Sequence, residues 1–286
     1  MIKTIEWSSK FHHSDHRNTI CPAPLVLDDK LFIFFGIQDK RGEPAKLSVI
    51  NISNNFQIHF MEIVILEEHI GSLGNLPNSI FIGSDGVIRL ICAEFANSQE
   101  HKHRLLVHFH EIEILKDRVV IAERQDFDFI EYDSDEFHTV AGMSFYEGEF
   151  LFAKGKDWSL SEGNSVPLTK LVKRNTRLGN EVNIQVPEKI GDLAYARPIL
   201  VNFESDRLFA FSVRSVGGGY GSRIYNFSDS NFQEISQHFI LSGELRQEEE
   251  LAYLYPFIWR DHLFSVVTQD FRGSKGFEIM ESSVMN

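Results

Sequence analysis

Apolar residues in this chain cluster in runs of about five, and each run is bounded by a short polar turn. The turns are Asp28-Asp29, Ser84-Asp85-Gly86, Glu147-Gly148, Ser205-Asp206 and Arg260-Asp261. The runs after them read LFIFF at 31–35, IRLIC at 88–92, FLFA at 150–153, LFAFS at 208–212 and LFSVV at 263–267. The runs before them read APLVL at 23–27, NSIFI at 78–82, AGMSF at 141–145, RPILV at 197–201 and YPFIW at 255–259. Near-continuous apolar runs of this length, with Gly/Asp turns at their ends, predict strands buried on both faces. Third strands are predicted over 46–52, 104–109, 168–173, 223–227 and 276–280.

The grammar repeats. Counted from Asp29, Gly86, Gly148, Asp206 and Asp261, the steps are 57, 62, 58 and 55 residues. Five such periods account for the chain, and no long stretch shows helical periodicity with caps. The expectation is all-β: a single five-bladed β-propeller of four-stranded blades. The blades fall over 18–60, 71–122, 137–185, 192–240 and 250–286, with a strand in 1–8 closing the ring. A β-sandwich of similar length would not explain one period recurring five times. The acid-rich stretch 125–136 is expected to connect blades two and three.

Composition narrows the function. The chain has 286 residues, 43% of them hydrophobic and 24% charged, a globular balance. Its formal net charge is −13, and no basic stripe is visible, which argues against nucleic acid and anionic membranes as partners. Cys21 and Cys92 are too few for a disulfide framework or a thiolate zinc site. No apolar run approaches ~18 residues and the first residues carry no apolar leader, so membrane insertion is not expected and the cytoplasm is the expected compartment.

The motifs then resemble a known group. Gly155-Lys-Asp-Trp158 with Pro167 following, Asp192-Leu-Ala-Tyr-Ala-Arg-Pro198, Ser212-Val-Arg214, Tyr220-Gly-Ser-Arg-Ile224, Tyr255-Pro256, Gly273-Ser-Lys-Gly-Phe277 and Pro22-Ala-Pro-Leu25 recur in order along nearly the whole chain. Together they resemble the five-bladed propellers related to glycoside hydrolase family 43, in particular small bacterial members linked to surface-polysaccharide gene clusters. The resemblance implies a carbohydrate-active protein that makes or breaks a glycosidic bond by transfer, phosphorolysis or hydrolysis. The family's first-blade Asp-Pro should fall near Cys21-Pro22 or Ala23-Pro24, where no carboxylate stands. Gln38-Asp39 replaces the Arg-Asp of the relatives. These departures turn the expectation from degradation towards biosynthesis or phosphorolysis. They also support the alternative of a non-catalytic carbohydrate-binding or protein-interaction propeller.

Glycosidic chemistry uses paired carboxyl groups around an oxocarbenium-like state. Asp39, Asp192 and Asp270 are the candidate catalytic residues. Arg197, Arg214 and Arg223 are candidates for forking to a carboxylate or phosphate of the substrate. His138 is placed to orient or protonate hydroxyls, and Tyr220, Tyr255 and Trp158 to stack on a sugar face. The partners implied are a carbohydrate, a phosphorylated sugar or a nucleotide sugar, with no cofactor and no metal. The alternating His101, His103, His108 and His110 lack the companion ligands of a metal site. His12, His13 and His16 read as a solvated segment. Asp126-Phe-Asp128 and Asp133-Ser-Asp135 superficially match a glycosyltransferase Asp-x-Asp, but the region is simply acid-rich. Gly217-Gly-Gly-Tyr-Gly221 reads as a flexible hairpin joining two strands, not a phosphate loop.

Overall fold

A computed structural model describes residues 4–39, 46–66, 77–83, 85–95, 104–131, 136–137, 143–146, 149–156, 169–175, 181–184, 194–204, 206–214, 220–228, 231–234, 253–268 and 274–285. Every regular element among them is a strand. In chain order these are β1 (Thr4–Leu27), β2 (Lys30–Gln38), β3 (Lys46–Ile52), β4 (Ile58–Phe60), β5 (Glu62–Ile65), β6 (Pro77–Ile82), β7 (Ile88–Phe95), β8 (Arg104–Ile114), β9 (Arg118–Glu131), β10 (Glu136–Phe137), β11 (Met143–Tyr146), β12 (Glu149–Lys156), β13 (Thr169–Asn175), β14 (Glu181–Ile184), β15 (Ala194–Phe203), β16 (Asp206–Arg214), β17 (Tyr220–Ser228), β18 (Asn231–Glu234), β19 (Tyr253–Trp259), β20 (His262–Thr268) and β21 (Ser274–Met285).

The predicted strands map onto this order with few displacements; of the predicted turns and strand ends, Ser84, Glu147-Gly148 and 141–142 lie outside the described residues. Leu27 faces Lys30 across Asp28-Asp29, and Trp259 faces His262 across Arg260-Asp261. All four turn residues have positive φ, between 48° and 65°. Two consecutive left-handed residues give the primed turn whose twist matches that of the flanking strands. Between β15 and β16 the turn begins at Glu204, with a φ of 53°, one residue earlier than the pattern suggested. Phe203 faces Asp206, which opens β16 with its carboxylate buried against Asn226 Nδ2 at 2.9 Å.

The strands hydrogen-bond into four sheets: β19-β20-β21-β1-β2-β3-β4, β5-β9-β8-β7-β6, β10-β12-β13-β14 with β11 also on β12, and β15-β16-β17-β18. The chain divides into two compact units. The first comprises 1–13, 135–271 and 277–286; the second comprises 14–134 and 272–276. β1 supplies a segment to each.

In the first unit, residues 4–13 lie beside β21. Ser8 Oγ donates to the Glu281 carbonyl at 3.3 Å, and Lys10 Nζ meets Glu281 Oε2 at 2.7 Å. The core gathers Ile5, Val201, Phe203, Leu208, Ile224, Leu254, Leu263, Val267 and Met280. In the second unit, residues 18–27 of β1 pair antiparallel with β2. Ala23, Leu25, Phe32, Phe34 and Val49 form its core with Ile80, Ile88, Leu90, Ile112, Val119 and Ile121 from the neighbouring sheet. Residues 31–37 of β2 are all buried, as the unbroken apolar run predicted. Each buried Leu, Ile or Phe side chain among them contributes roughly 1.5–3 kcal/mol relative to an exposed position.

Four features depart from the sequence reading. The N-terminal strand and the first strand before a turn are not separate: β1 is continuous for 24 residues. The acid-rich connector is largely strand, because β9 runs to Glu131 and pairs with β8 throughout, with Leu105 opposite Ile130 and His108 opposite Asp126. Asp126-Phe-Asp128 therefore lies in a ladder, while Asp133 and Asp135 lie outside the described residues. β5 was not foreseen; it joins β9 in parallel, Glu62 opposite Arg118. Finally, His13 is buried with its ring 5.0 Å from that of Phe277, although its neighbour His12 is exposed. Alternation along a strand, rather than mean polarity, decides which of the two meets water.

The hairpin at Asp85 ties charge to folding. Arg89 Nη1 and Nη2 donate to Asp85 Oδ1 and Oδ2 at 2.9 and 2.7 Å, and the Val87 N–H adds a bond at 3.1 Å. The hydrogen bonds from Arg89, then that from Val87, hold the Asp85 carboxyl well below the usual carboxylate range. A depressed folded value means the stabilisation is present above an ordinary carboxylate value of about 3.9 and is lost as pH falls through the folded one. The Asp85 carboxyl carbon, followed by NMR, should titrate below the ordinary aspartate midpoint of about 3.9. Arg89→Ala should raise its midpoint towards the ordinary value of about 3.9, with the Val87 bond keeping part of the depression. A midpoint unchanged by the substitution would mean that the pair does not form in solution.

Candidate functional site

One end of the second unit carries the clearest polar constellation among the described side chains. Asp15, Arg17 and Thr19 alternate along β1, so the pleat sets all three on one face. Asp15 is 8% exposed. Its Oδ1 accepts from Arg17 Nε at 3.0 Å and from the Arg17 backbone N–H at 2.9 Å, while Oδ2 accepts from Nη2 at 2.9 Å. This is a two-pronged fork on a buried carboxylate, which sets the plane of the guanidinium. The hydrogen bond to Asp15 raises the Arg17 pKa above its ordinary value; burial opposes the shift, and the charges of Asp15 and Asp39 add to it. Arg17 is therefore a permanent cation held in one orientation.

Arg17 opens onto a cleft of about 310 Å³ lined also by Ile37, Asp39, Lys46, Leu47, Ser48 and Phe60. The register explains the assembly. Thr19 faces Ile37, Ile37 faces Lys46, Phe35 faces Ser48 and Ile50 faces Phe60. Every second residue along each strand then shares one face, which brings Arg17, Ile37, Asp39, Lys46, Ser48 and Phe60 together from four strands. Asp39 and Lys46 are exposed, and Phe60 is 59% exposed. The volume is at the lower end of the range for small-ligand sites. The set can donate from two cations, accept at one carboxylate, exchange hydrogen bonds at one hydroxyl and offer one aromatic face.

Of the residues singled out from the sequence, Asp39 is the one placed in this cleft. Asp192, Asp270, His138 and Trp158 lie outside the described residues, as do 215–219 of the glycine-rich hairpin. For Arg197, Arg214, Arg223 and Tyr220 the backbone position is defined. Arg197 falls with Pro198 in a register shift between Ala196 and Ile199, on the edge strand β15. The same irregularity occurs in β1, where Cys21 and Pro22 fall between Ile20 and Ala23. Proline has no N–H for the ladder, so it is accommodated at a bulge or an edge. Arg214 is the direct partner of Tyr220, at the end of β16, and Arg223 is the partner of Phe211. Tyr255 is 6% exposed, and its backbone N–H donates to Ser265 Oγ at 3.0 Å. Its ring is part of the packed sheet face rather than an open platform.

Asp15, Arg17, Lys46, Ser48 and Phe60 were not singled out from the sequence. Asp15 and Arg17 sit in a run, 12–19, in which every residue is polar, so no alternation marked them and average polarity assigns the segment to solvent. His110, one of the alternating histidines, is fully buried with Nδ1 3.1 Å from the Ala122 carbonyl, a structural role. Among the described residues no cluster of three His, Cys, Asp or Glu could hold a metal ion.

No family model matches the chain, and no curated protein sequence does. Solved structures do. The catalytic domain of a Coprinopsis cinerea GH62 alpha-L-arabinofuranosidase superposes with a TM-score of 0.62 at 8% identity, over 99% of this chain and 98% of that one. A thermostable family-43 glycoside hydrolase superposes at 0.56 and 9% identity, covering 97% and 96%. A GH130 structure, titled for mannoside phosphorylases and glycoside hydrolases that target beta-1,2 mannosidic linkages, superposes at 0.52 and 11%, covering 93% and 85%. The chain has the fold of the family-43-like propeller glycoside hydrolases, as the ordered motifs suggested.

Proposed function

We propose that this protein is a carbohydrate-active enzyme that makes or breaks a glycosidic bond in surface-glycan metabolism. One observation carries the reading: the whole length of the chain, not one segment of it, matches enzymes whose titles name glycoside hydrolysis or phosphorolysis. In this reading the fold is a five-bladed propeller, and β1 closes the ring by serving as the outer strand of the last blade and the inner strand of the first. Asp39, with Asp192 and Asp270, supplies acid/base chemistry or stabilises developing positive charge. Arg197 and Arg214 hold an anionic part of the substrate, Arg223 assists, and His138 orients hydroxyls. Cysteine usage without a disulfide pattern supports a reducing, cytoplasmic setting.

A second reading, a non-catalytic sugar-binding propeller, draws on the bulge of β1. The family's Asp-Pro is expected near Cys21-Pro22 or Ala23-Pro24, and at the second of these Ala23 is 4% exposed. Burial of a small apolar residue there suits packing, not proton transfer. A thermal-shift panel of free sugars, phosphorylated sugars, nucleotide sugars and short glycans, followed by turnover assays on whatever binds, separates the readings. A ligand at 100-fold its dissociation constant adds about 2.7 kcal/mol and moves the midpoint by several degrees. Binding with turnover supports the enzyme. Binding without turnover supports the second reading, and no shift with any sugar overturns both.

A further inference from the structure

We infer that the cleft of Arg17, Asp39, Lys46, Ser48 and Phe60 binds a single sugar unit carrying an anionic group, a carboxylate or a phosphate. This inference rests on the carbohydrate reading above and assigns it a substrate class and a place on the chain.

The charge balance of the cleft is the first argument. The chain has 41 acidic residues against 28 basic ones, yet this cleft is lined by two cations and one carboxylate. Asp15 offsets part of the Arg17 charge, but it is buried with both oxygens engaged by Arg17, so it presents no acceptor to a ligand in the cleft. Its effect is to fix the guanidinium in place. A pre-oriented arginine recognises carboxylate and phosphate with less entropy lost on binding than a free one. Lys46 adds a mobile point charge from the start of β3.

The second argument is the mixture of surfaces. A bare anion site has no use for a large exposed ring beside its cations. Phe60 is an aromatic on the short strand β4, 59% exposed, in the lining of the same cleft. A sugar presents C–H patches that pack on such a ring and hydroxyls that need acceptors and donors. Asp39 accepts from those hydroxyls, and the Ser48 hydroxyl donates or accepts. The cleft volume of about 310 Å³ suits one such unit more than an extended chain.

The test is isothermal titration calorimetry on the full chain with four probes: glucuronate, glucose 1-phosphate, glucose and inorganic phosphate. At least one anionic sugar should bind about tenfold or more tightly than glucose, the scale of a charge-assisted hydrogen bond, and more tightly than phosphate alone. The stronger of glucuronate and glucose 1-phosphate identifies the anion. Lys46→Gln and Phe60→Ala should each weaken that ligand by about five- to tenfold, and both positions are exposed, so folding is retained. Equal affinity for glucose and its anionic relatives would overturn the inference. So would anionic sugars that bind with an affinity neither substitution changes; that result places the ligand elsewhere and leaves the carbohydrate reading standing. Phosphate binding as well as glucose 1-phosphate would reduce the cleft to a plain anion site. No binding by any of the four probes would overturn the inference, while the carbohydrate reading is decided by the wider thermal-shift panel.

Discussion

Trp259→Ala is expected to destabilise the protein by about 3–5 kcal/mol, the range for removing a large aromatic from a packed core. Trp259 is 1% exposed at the end of β19. Its ring lies 5.4 Å from Phe264 on the neighbouring strand, and the Arg260 guanidinium sits 4.4 Å above it. The substitution removes the buried ring, opens a void and leaves the cation without its aromatic face. At roughly 2–4 °C per kcal/mol, the thermal midpoint should fall by about 6–20 °C, read by circular dichroism. A loss of under about 3 °C, on the same scale, would mean that the YPFIW run is not a core strand. Phe60→Ala is the matched control, since an exposed ring should change stability by no more than about 0.5 kcal/mol.

Asp39→Asn should reduce turnover by about 10²- to 10⁴-fold on the substrate that the ligand panel identifies, the usual contribution of a positioned acid or base. The change keeps the shape and removes the charge. Asp39 is exposed, and its described interaction is electrostatic, adding to the raised pKa of Arg17. Stability should therefore hold while kcat falls. A variant with wild-type kcat and a raised KM would show that Asp39 only binds a hydroxyl, and the acid/base role would pass to other residues. A variant with both constants unchanged would take Asp39 out of the site.

How much of this was legible in the sequence depends on the range of the interaction. The runs at 31–35 and 263–267 were readable as doubly buried strands because burial on both faces removes the polar alternation, a property of five adjacent residues. The turns at Asp28-Asp29 and Arg260-Asp261 were readable for the same local reason. The strand β5 was not readable: four residues of EIVI carry no mark of the parallel partner, β9, some fifty positions away. Nor was the course of 125–131, because acidic residues depress strand propensity while a ladder with β8 overrides it.

The site divides in the same way. Asp39 was visible as a carboxylate at the end of an apolar run. Arg17 was hidden in a segment whose three histidines and serine make it look solvated. Only the register of β1 on β2 brings Arg17 beside Asp39, and only Asp15, two residues back on the same face, gives it a fixed orientation. Lys46, Ser48 and Phe60 come from two further strands, and their place in the cleft follows from the pairing of β2 with β3 and of β3 with β4.

The amino-acid sequence by itself therefore determined the all-β class, the turns at Asp28-Asp29 and Arg260-Asp261 and the motifs that resemble those of the family-43-like propellers, because each is written in neighbouring residues. The tertiary structure alone decided the continuous 24-residue β1, the parallel β5 and the cleft that collects Arg17, Asp39, Lys46 and Phe60. Those depend on cross-strand register, which is set by how whole strands share hydrogen bonds and bury their faces and leaves no mark within a window of five residues.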